Sequence, residues 1–121
     1  MPGELLLDGP DSGNYSQRPL AAADFDNRAA FTTGQASVAA AGSPEQAPSV
    51  TIPEGFAISI KARPTNTGNV FLGNSAANVL LATVRYTLRP NEAVSLRITN
   101  LNLVWLDVAV GAEGISYIVE Q

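Results

Sequence analysis

The sequence predicts an all-β fold: a small antiparallel β-sandwich or jelly-roll-like barrel of about 7–8 strands, preceded by a long extended N-terminal arm. Short segments with alternating apolar and polar residues follow one another through residues 48–121, and Pro, Gly and Asn turns separate them. No helical period competes for the core there. Residues 1–47 are instead rich in Ala, Gly, Ser, Asp and Pro without sustained alternation, so we assign 1–47 to the arm and 48–121 to the β-sandwich domain.

Three segments of the arm have patterns that fit local order. Leu5–Leu7 form an apolar triplet between Glu4 and Asp8. The stretch Pro19–Phe31 has the alanines and the spacing of one or two helical turns, which are marginal in isolation because helix nucleation is costly. A solvated linker is the alternative for this stretch. Gly34–Ala41 fits a weak edge strand ahead of the domain.

The first half of the domain contains three strand patterns and one continuous apolar run. Ser49–Ile52 is a short strand, and Phe56–Ala62 alternates apolar and polar residues in the manner of a half-buried strand. Asn69–Leu72 is the next strand along the chain. Val79–Val84 is apolar almost throughout, and we interpret it either as a buried strand or as a loop tucked under the sheet.

The second half of the domain contains four further strand patterns bounded by turn signals. Arg85–Arg89 ends at a Pro-Asn-Glu turn, and Ala93–Thr99 points its Val, Leu and Ile side chains inward. Leu103–Val110 is the strongest strand by composition. Ile115–Glu120 closes the domain after a Gly-Ala-Glu-Gly turn.

The net negative charge of the chain comes entirely from the arm. The formal net charge is −4, residues 1–47 hold six acidic residues against two arginines, and residues 48–121 hold five of each sign. The basic residues of the domain all take outward strand positions: Lys61, Arg63, Arg85, Arg89 and Arg97. If their strands share one sheet, its outer face is positive and complements the acidic arm; the alternative is a set of dispersed surface charges.

Large apolar residues occupy both faces of the Leu103–Val110 segment. Its Val and Leu side chains alternate on one face, which leaves Leu103 and Trp105, with Leu101 before them, on the face that should meet water. Such a placement marks either an interface or a strand buried on both sides. Together with the apolar residues of the arm, the candidate interface residues are Leu5, Leu6, Leu7, Tyr15, Leu20, Phe25, Phe31, Leu103 and Trp105.

The composition excludes catalysis that depends on histidine or cysteine. The chain has no His and no Cys, so Ser–His–Asp and Cys–His nucleophiles and nearly every structural zinc site are impossible. Asp24 and Asp26 resemble the start of a calcium loop, but the ligand and glycine positions that should follow are not kept. Asp107 and Glu113 have no pattern that brings them together, and we interpret both as solvated surface groups. We expect no catalytic residue, no cofactor and no metal site in a protein that is not an enzyme.

The size and charge of the chain bear on its partners. A domain spanning residues 48–121 is small enough to need a disulfide, a metal or a partner subunit, and without Cys or His we expect a multimer. The acidic arm argues against nucleic acid as a partner. The Leu5–Leu7 triplet is too short for a signal peptide or a membrane span, so we expect a soluble protein without a membrane partner.

Two long segments resemble a group of small virion proteins of tailed bacteriophages. They are ISIKARPTNTGNVFLGNS (Ile58–Ser75) and LRPNEAVSLRITNLNLVWLDVAVGAEGISYIVE (Leu88–Glu120), whose shared features are an NTG turn, a VFLGNS strand and turn, a PNEAVSL turn and strand, and a closing hairpin. The resemblance covers about half of the chain. It implies a β-sandwich that decorates or cements a capsid, often as a homotrimer.

From this resemblance we expect a capsid decoration (cement) protein on the virion surface, made in the host cytoplasm. Its partners would be the major capsid protein and sibling copies. Two alternatives stay open: another virion structural protein, associated with the neck, tail or fibre, or a glycan-binding module for adsorption to the host. In the second alternative Trp105 would stack on sugar, whereas Tyr86 and Tyr117 align with inward neighbours and are expected in the core.

Overall fold

The computed structural model describes residues 30–121, which form two four-stranded antiparallel sheets. The strands are β1 (Phe31–Ser37), β2 (Glu45–Gln46), β3 (Ile58–Ala62), β4 (Val70–Gly73), β5 (Tyr86–Leu88), β6 (Ala93–Leu96), β7 (Trp105–Val108) and β8 (Gly114–Glu120). Sheet A has the order β1-β8-β3-β6 and sheet B the order β2-β7-β4-β5. The predicted all-β class, a small β-sandwich, is therefore confirmed.

Period-two alternation places one face of each sheet in the core. On β3, Ile58 and Ile60 are fully buried while Lys61 between Ile60 and Ala62 is exposed. On β7 of the opposite sheet, Leu106 and Val108 are buried in the same apolar cluster. Residues i and i+2 of a strand point to the same side, so these aliphatic rows meet between the sheets.

The domain begins before the boundary expected at residue 48. β1 pairs with β8 along its whole length, and β2 pairs with β7, so residues 31–47 contribute a strand to each sheet. Val38 and Ala47 are buried in the core cluster. Phe31 starts a strand and does not end a helix, while the rest of the expected Pro19–Phe31 helix lies outside the described residues.

β1 is weak by composition and gains its stability from β8. Gly34 of β1 lies opposite Tyr117, whose ring covers the space where a Cβ would stand. An aromatic ring laid over a cross-strand glycine protects that glycine from water. Tyr117 is half-buried against the core, as its register with inward neighbours indicates.

The continuous apolar run at Val79–Val84 does not form a strand. A short 3-10 turn at Asn78–Leu80 buries Val79 against β4, where Gly73 leaves room for it: a Cβ on Gly73 would lie 2.8 Å from the Val79 Cα. The following residues Leu80, Leu81 and Val84 are exposed. The interpretation as a tucked loop therefore fits only Val79.

The strand expected over Leu103–Val110 is shorter than its composition suggests. A 3-10 turn at Leu101–Leu103 precedes β7, and the side chain of Asn100 caps it by accepting a hydrogen bond from the Asn102 N–H at 2.9 Å. The same Asn100 oxygen accepts from the Val50 N–H at 3.0 Å. This polar anchor turns the chain, so that Leu101 is fully buried and not on a water-facing strand position.

The turn between β7 and β8 contains a backbone conformation that favours glycine. Ala112 has φ of 70°, a value that costs L-residues roughly 1–2 kcal/mol. We expect Ala112→Gly to raise the free energy of unfolding by about 1 kcal/mol in urea denaturation, since glycine adopts this φ without a Cβ clash. Ala109 does not have a positive φ. Ala109→Gly should therefore lower the free energy of unfolding by about 0.4–1 kcal/mol. A loss of stability in Ala112→Gly would contradict this account of the turn.

Candidate functional site

An apolar groove of about 600 Å³ opens between the two sheets on the side where β5 and β6 form their edges. β5 and β6 are both short strands. Their inward-facing side chains extend beyond the part of the core that both sheets cover. Nearly all of the lining side chains are apolar: Leu72, Gly73, Asn74, Tyr86, Val94, Leu96, Ile98, Leu103 and Val104. The groove is thus an exposed continuation of the hydrophobic core.

Tyr86 connects this groove to a second apolar surface. It shares the inward side of β5 with Leu88, but it lies beyond the packed core and is 56% exposed, so the expectation that its ring is buried is wrong. The loop that leads into β5 adds the exposed side chains of Leu80, Leu81 and Val84. We call these four residues (Leu80, Leu81, Val84 and Tyr86) the apolar loop surface. Grouped apolar exposure of this kind is the usual mark of an interaction site.

The outer face of sheet B is covered by its own chain. Arg85 lies over the ring of Phe71, with its guanidinium carbon 3.5 Å from the ring centroid, and the ring is only 9% exposed. Asp107 on the neighbouring strand is buried and accepts a hydrogen bond from the Gly42 N–H at 2.9 Å. Asp107 is therefore a loop anchor and not a solvated surface group. This face offers little free surface to a partner.

The five basic residues do not form one positive sheet face. Lys61 on β3 and Arg97 after β6 belong to sheet A, whereas Arg85 and Arg89 flank β5 of sheet B. Arg63 follows β3 and turns toward the β7–β8 connection, where its guanidinium donates to the Ala112 carbonyl at 3.4 Å. The strands that carry these residues lie in different sheets, so the charges are dispersed.

The candidate interface residues differ in their exposure. Leu103 is 52% exposed on the rim of the groove, and Phe31 is exposed at the start of β1. Trp105 is half-buried on the outward side of β7, between Gln46 of β2 and Gly73 of β4, so it is not displayed as a stacking platform. The remaining members, Leu5, Leu6, Leu7, Tyr15, Leu20 and Phe25, lie outside the described residues.

The NTG turn and the closing hairpin form one hydrogen-bonded unit. The carboxylate of Glu113 accepts from the Thr67 N–H at 2.7 Å, from the Thr67 hydroxyl at 2.9 Å and from the Gly68 N–H at 3.0 Å. Asn66 is buried and donates its side-chain amide to the Gly114 carbonyl at 2.8 Å. The motifs that carry the resemblance therefore have an architectural role, and Glu113 is not the solvated group expected from the sequence.

Glu113 should make the stability of the protein depend on pH. The Thr67 backbone hydrogen bond is the largest influence that lowers the pKa of Glu113 below its ordinary 4.5, and partial burial opposes it. A lowered folded-state pKa gives stability that is complete above 4.5 and is lost as the pH falls through the folded value.

Denaturation of Glu113→Gln across this range tests the role of the carboxylate. The variant should be less stable than the wild type at neutral pH, and the difference should shrink as acid protonates Glu113. Glu54→Gln removes an equal charge from an exposed turn and should change little. A stability difference that is independent of pH would contradict the assignment.

The residues that sequence reasoning missed are those of the groove and of the apolar loop surface. The side chains that line the groove come from several segments of the chain, so no local sequence pattern predicts it. The loop had one signal: an apolar run between two turns with too few polar positions for a half-buried strand.

Within residues 30–121 no helix is long and apolar enough to cross a membrane. The same part of the chain contains no group of three or more acidic side chains placed to hold a metal ion. Comparison of the chain with protein-family models, with curated proteins and with solved structures finds no match.

Proposed function

We propose that this protein is a capsid decoration protein of a tailed bacteriophage, which attaches to the outer shell of the head and stabilises it. The observation that carries the proposal is the apolar loop surface: four large apolar side chains within seven residues of the chain are exposed, and one of them, Tyr86, also lines the open groove. The likeness of the strand and turn motifs to small phage virion proteins supports it, and so does the acidic arm that precedes β1.

The free energy available from burying the apolar loop surface is too small for attachment at one point alone. Full burial of a large apolar side chain contributes about 1.5–3 kcal/mol, and the four residues of the surface are already about half covered, so their burial supplies roughly 3–6 kcal/mol. Association alone costs about 4–15 kcal/mol in lost translational and rotational freedom. The loop surface must therefore act together with the arm or with further copies, and simultaneous attachment multiplies weak contacts into a stable one.

The role of the arm is tested by deleting residues 2–28, which leaves β1 intact. The variant and the full chain are mixed with capsids assembled without the protein, and bound copies are counted after sedimentation. We expect the deletion to lower occupancy and to reduce the temperature at which the capsids lose their contents. Unchanged occupancy together with unchanged heat resistance would contradict a role of the arm in capsid binding.

The role of the apolar loop surface is tested with Leu81→Asp in the full chain. Both Leu81 and Thr83 are exposed in the same loop, so Thr83→Asp adds the same charge without removing an apolar contact. We expect Leu81→Asp to weaken capsid binding by at least about tenfold, which corresponds to 1.4 kcal/mol, with Thr83→Asp affected less. Equal binding by the two variants would show that the loop does not contact the shell.

A further inference from the structure

We propose that in the unattached protein the groove between β5 and β6 is occupied by the Leu5–Leu7 segment of the same chain. The inference goes beyond the capsid role and does not depend on it. The groove has a volume of about 600 Å³, and a space lined mainly by apolar side chains offers water few hydrogen-bond partners. Asn74 supplies the amide among the lining side chains, so the groove suits apolar groups better than water.

The arm contains a segment that matches this groove in polarity. Leu5–Leu7 is the one run of three consecutive leucines in the sequence, and Glu4 and Asp8 flank it. On the groove side, Leu96 and Ile98 both line the groove, whereas Arg97 between them is exposed on the opposite side of the chain. The match between the triplet and the groove is therefore one of apolar surface.

The chain enters the sandwich at the same end as the groove. The carbonyl of Ala30 accepts from the Gln121 N–H at 2.9 Å, and the Gln121 side chain donates to the Thr51 carbonyl at 2.9 Å. Thr51 in turn pairs with Asn100, which stands between the groove residues Ile98 and Leu103 in the chain. β1 and β6 are three strand positions apart in sheet A, or about 15 Å.

The length of the arm suits contact within one molecule. Residues 8–29 separate Leu7 from the first described residue, and a flexible chain of that length would have a root-mean-square span of about 25 Å. A tether that matches the span between two sites gives an effective concentration in the millimolar range. In dilute solution the groove therefore meets its own arm before it meets another copy.

Because the chain contains no Cys, a pair of introduced cysteines supplies the only thiols for a cross-linking experiment. One variant combines Leu6→Cys with Leu103→Cys on the groove rim; the control combines Leu6→Cys with Gln35→Cys, an exposed outward position on β1. Under mild oxidation of the full chain we expect an internal cross-link at least about tenfold faster for the Leu103 pair than for the control. Equal rates would overturn the proposal, and a disulfide-linked dimer as the main product would place the segment in another copy.

A second measurement needs no cysteine. Methyl NMR of the full chain reports the surroundings of Leu96 and Ile98, and Leu6→Asp should shift both signals because it removes an apolar group from the groove. Leu20→Asp introduces the same charge elsewhere in the arm and should leave these signals in place. Unchanged signals in Leu6→Asp, or equal shifts in the two variants, would overturn the occupancy. Neither experiment uses capsids, so their outcome is separate from that of the capsid-binding tests.

Discussion

Replacing Gly114 with valine should lower the free energy of unfolding by about 3 kcal/mol or more, because the position has no room for a side chain. A Cβ there would overlap the carbonyl oxygen of Ala36 and lie 2.6 Å from the Cα of Ser37, and both are backbone atoms that cannot rotate away. The Gly114 carbonyl also accepts hydrogen bonds from the Arg63 N–H at 3.1 Å and from the Asn66 side chain at 2.8 Å. A shift of this residue would break both.

Thermal unfolding followed by circular dichroism measures this effect. For a domain of this size a loss of 3 kcal/mol lowers the midpoint by roughly 12–24 °C. Ser116→Val is the matched control, since Ser116 lies two residues along the same strand on the outer face of sheet A. A midpoint of Gly114→Val within a few degrees of the wild type would show that the β1–β8 pairing is not needed for the fold.

Removing the side chain of Ile60 should cost about 2–5 kcal/mol of unfolding free energy. Ile60 has no exposed surface, and its strand β3 pairs with both β8 and β6, so it lies at the centre of sheet A. Truncation to alanine loses the burial of the aliphatic group and leaves a cavity that rigid neighbouring strands cannot close.

Ile118→Ala is the control for Ile60→Ala. It truncates the same residue type on the adjacent strand β8, but Ile118 points outward and is 46% exposed. Urea denaturation should show a loss for Ile118→Ala of less than about 1 kcal/mol. Similar losses at the two sites would contradict the assignment of the inward and outward faces of sheet A.

The strand pattern was predicted well at β3, where one side of the strand is buried and the other is not, whereas Ser49–Ile52 forms only an isolated bridge at Thr51 and the strand expected over Ala93–Thr99 ends at Leu96. The segment containing Ile58, Ile60 and Lys61 alternates in sequence as it does in the structure, because a half-buried strand imposes its period on the side chains. Val79–Val84 failed for the opposite reason. Its burial depends on a turn that packs Val79 onto Gly73, a contact between residues of different elements that no local pattern encodes.

The start of the domain was misplaced for a related reason. β1 contains Gly, Thr, Gln and Ser and has little apolar alternation, so its sequence resembles that of the arm. Pairing with β8 and cover by Tyr117 supply what the sequence of β1 lacks. A strand that is stabilised mainly by its neighbour gives a weak signal of its own.

The roles of two carboxylates were also poorly predicted. Asp107 and Glu113 each accept hydrogen bonds from loop N–H groups that are distant in the chain, at Gly42 and at Thr67 and Gly68. A carboxylate that anchors a remote loop has the same local sequence as one that faces water. The groove was missed likewise, since the edges of β5 and β6 come together only through the stacking of the two sheets.

Cryo-electron microscopy of capsids incubated with the full-length protein tests the central claim most directly. The decoration account predicts density for the β-sandwich at regular positions on the outer shell, with the apolar loop surface, Leu80, Leu81, Val84 and Tyr86, against capsid subunits. Density confined to the neck, tail or fibres, or an outer shell without added density at saturating protein, would contradict it.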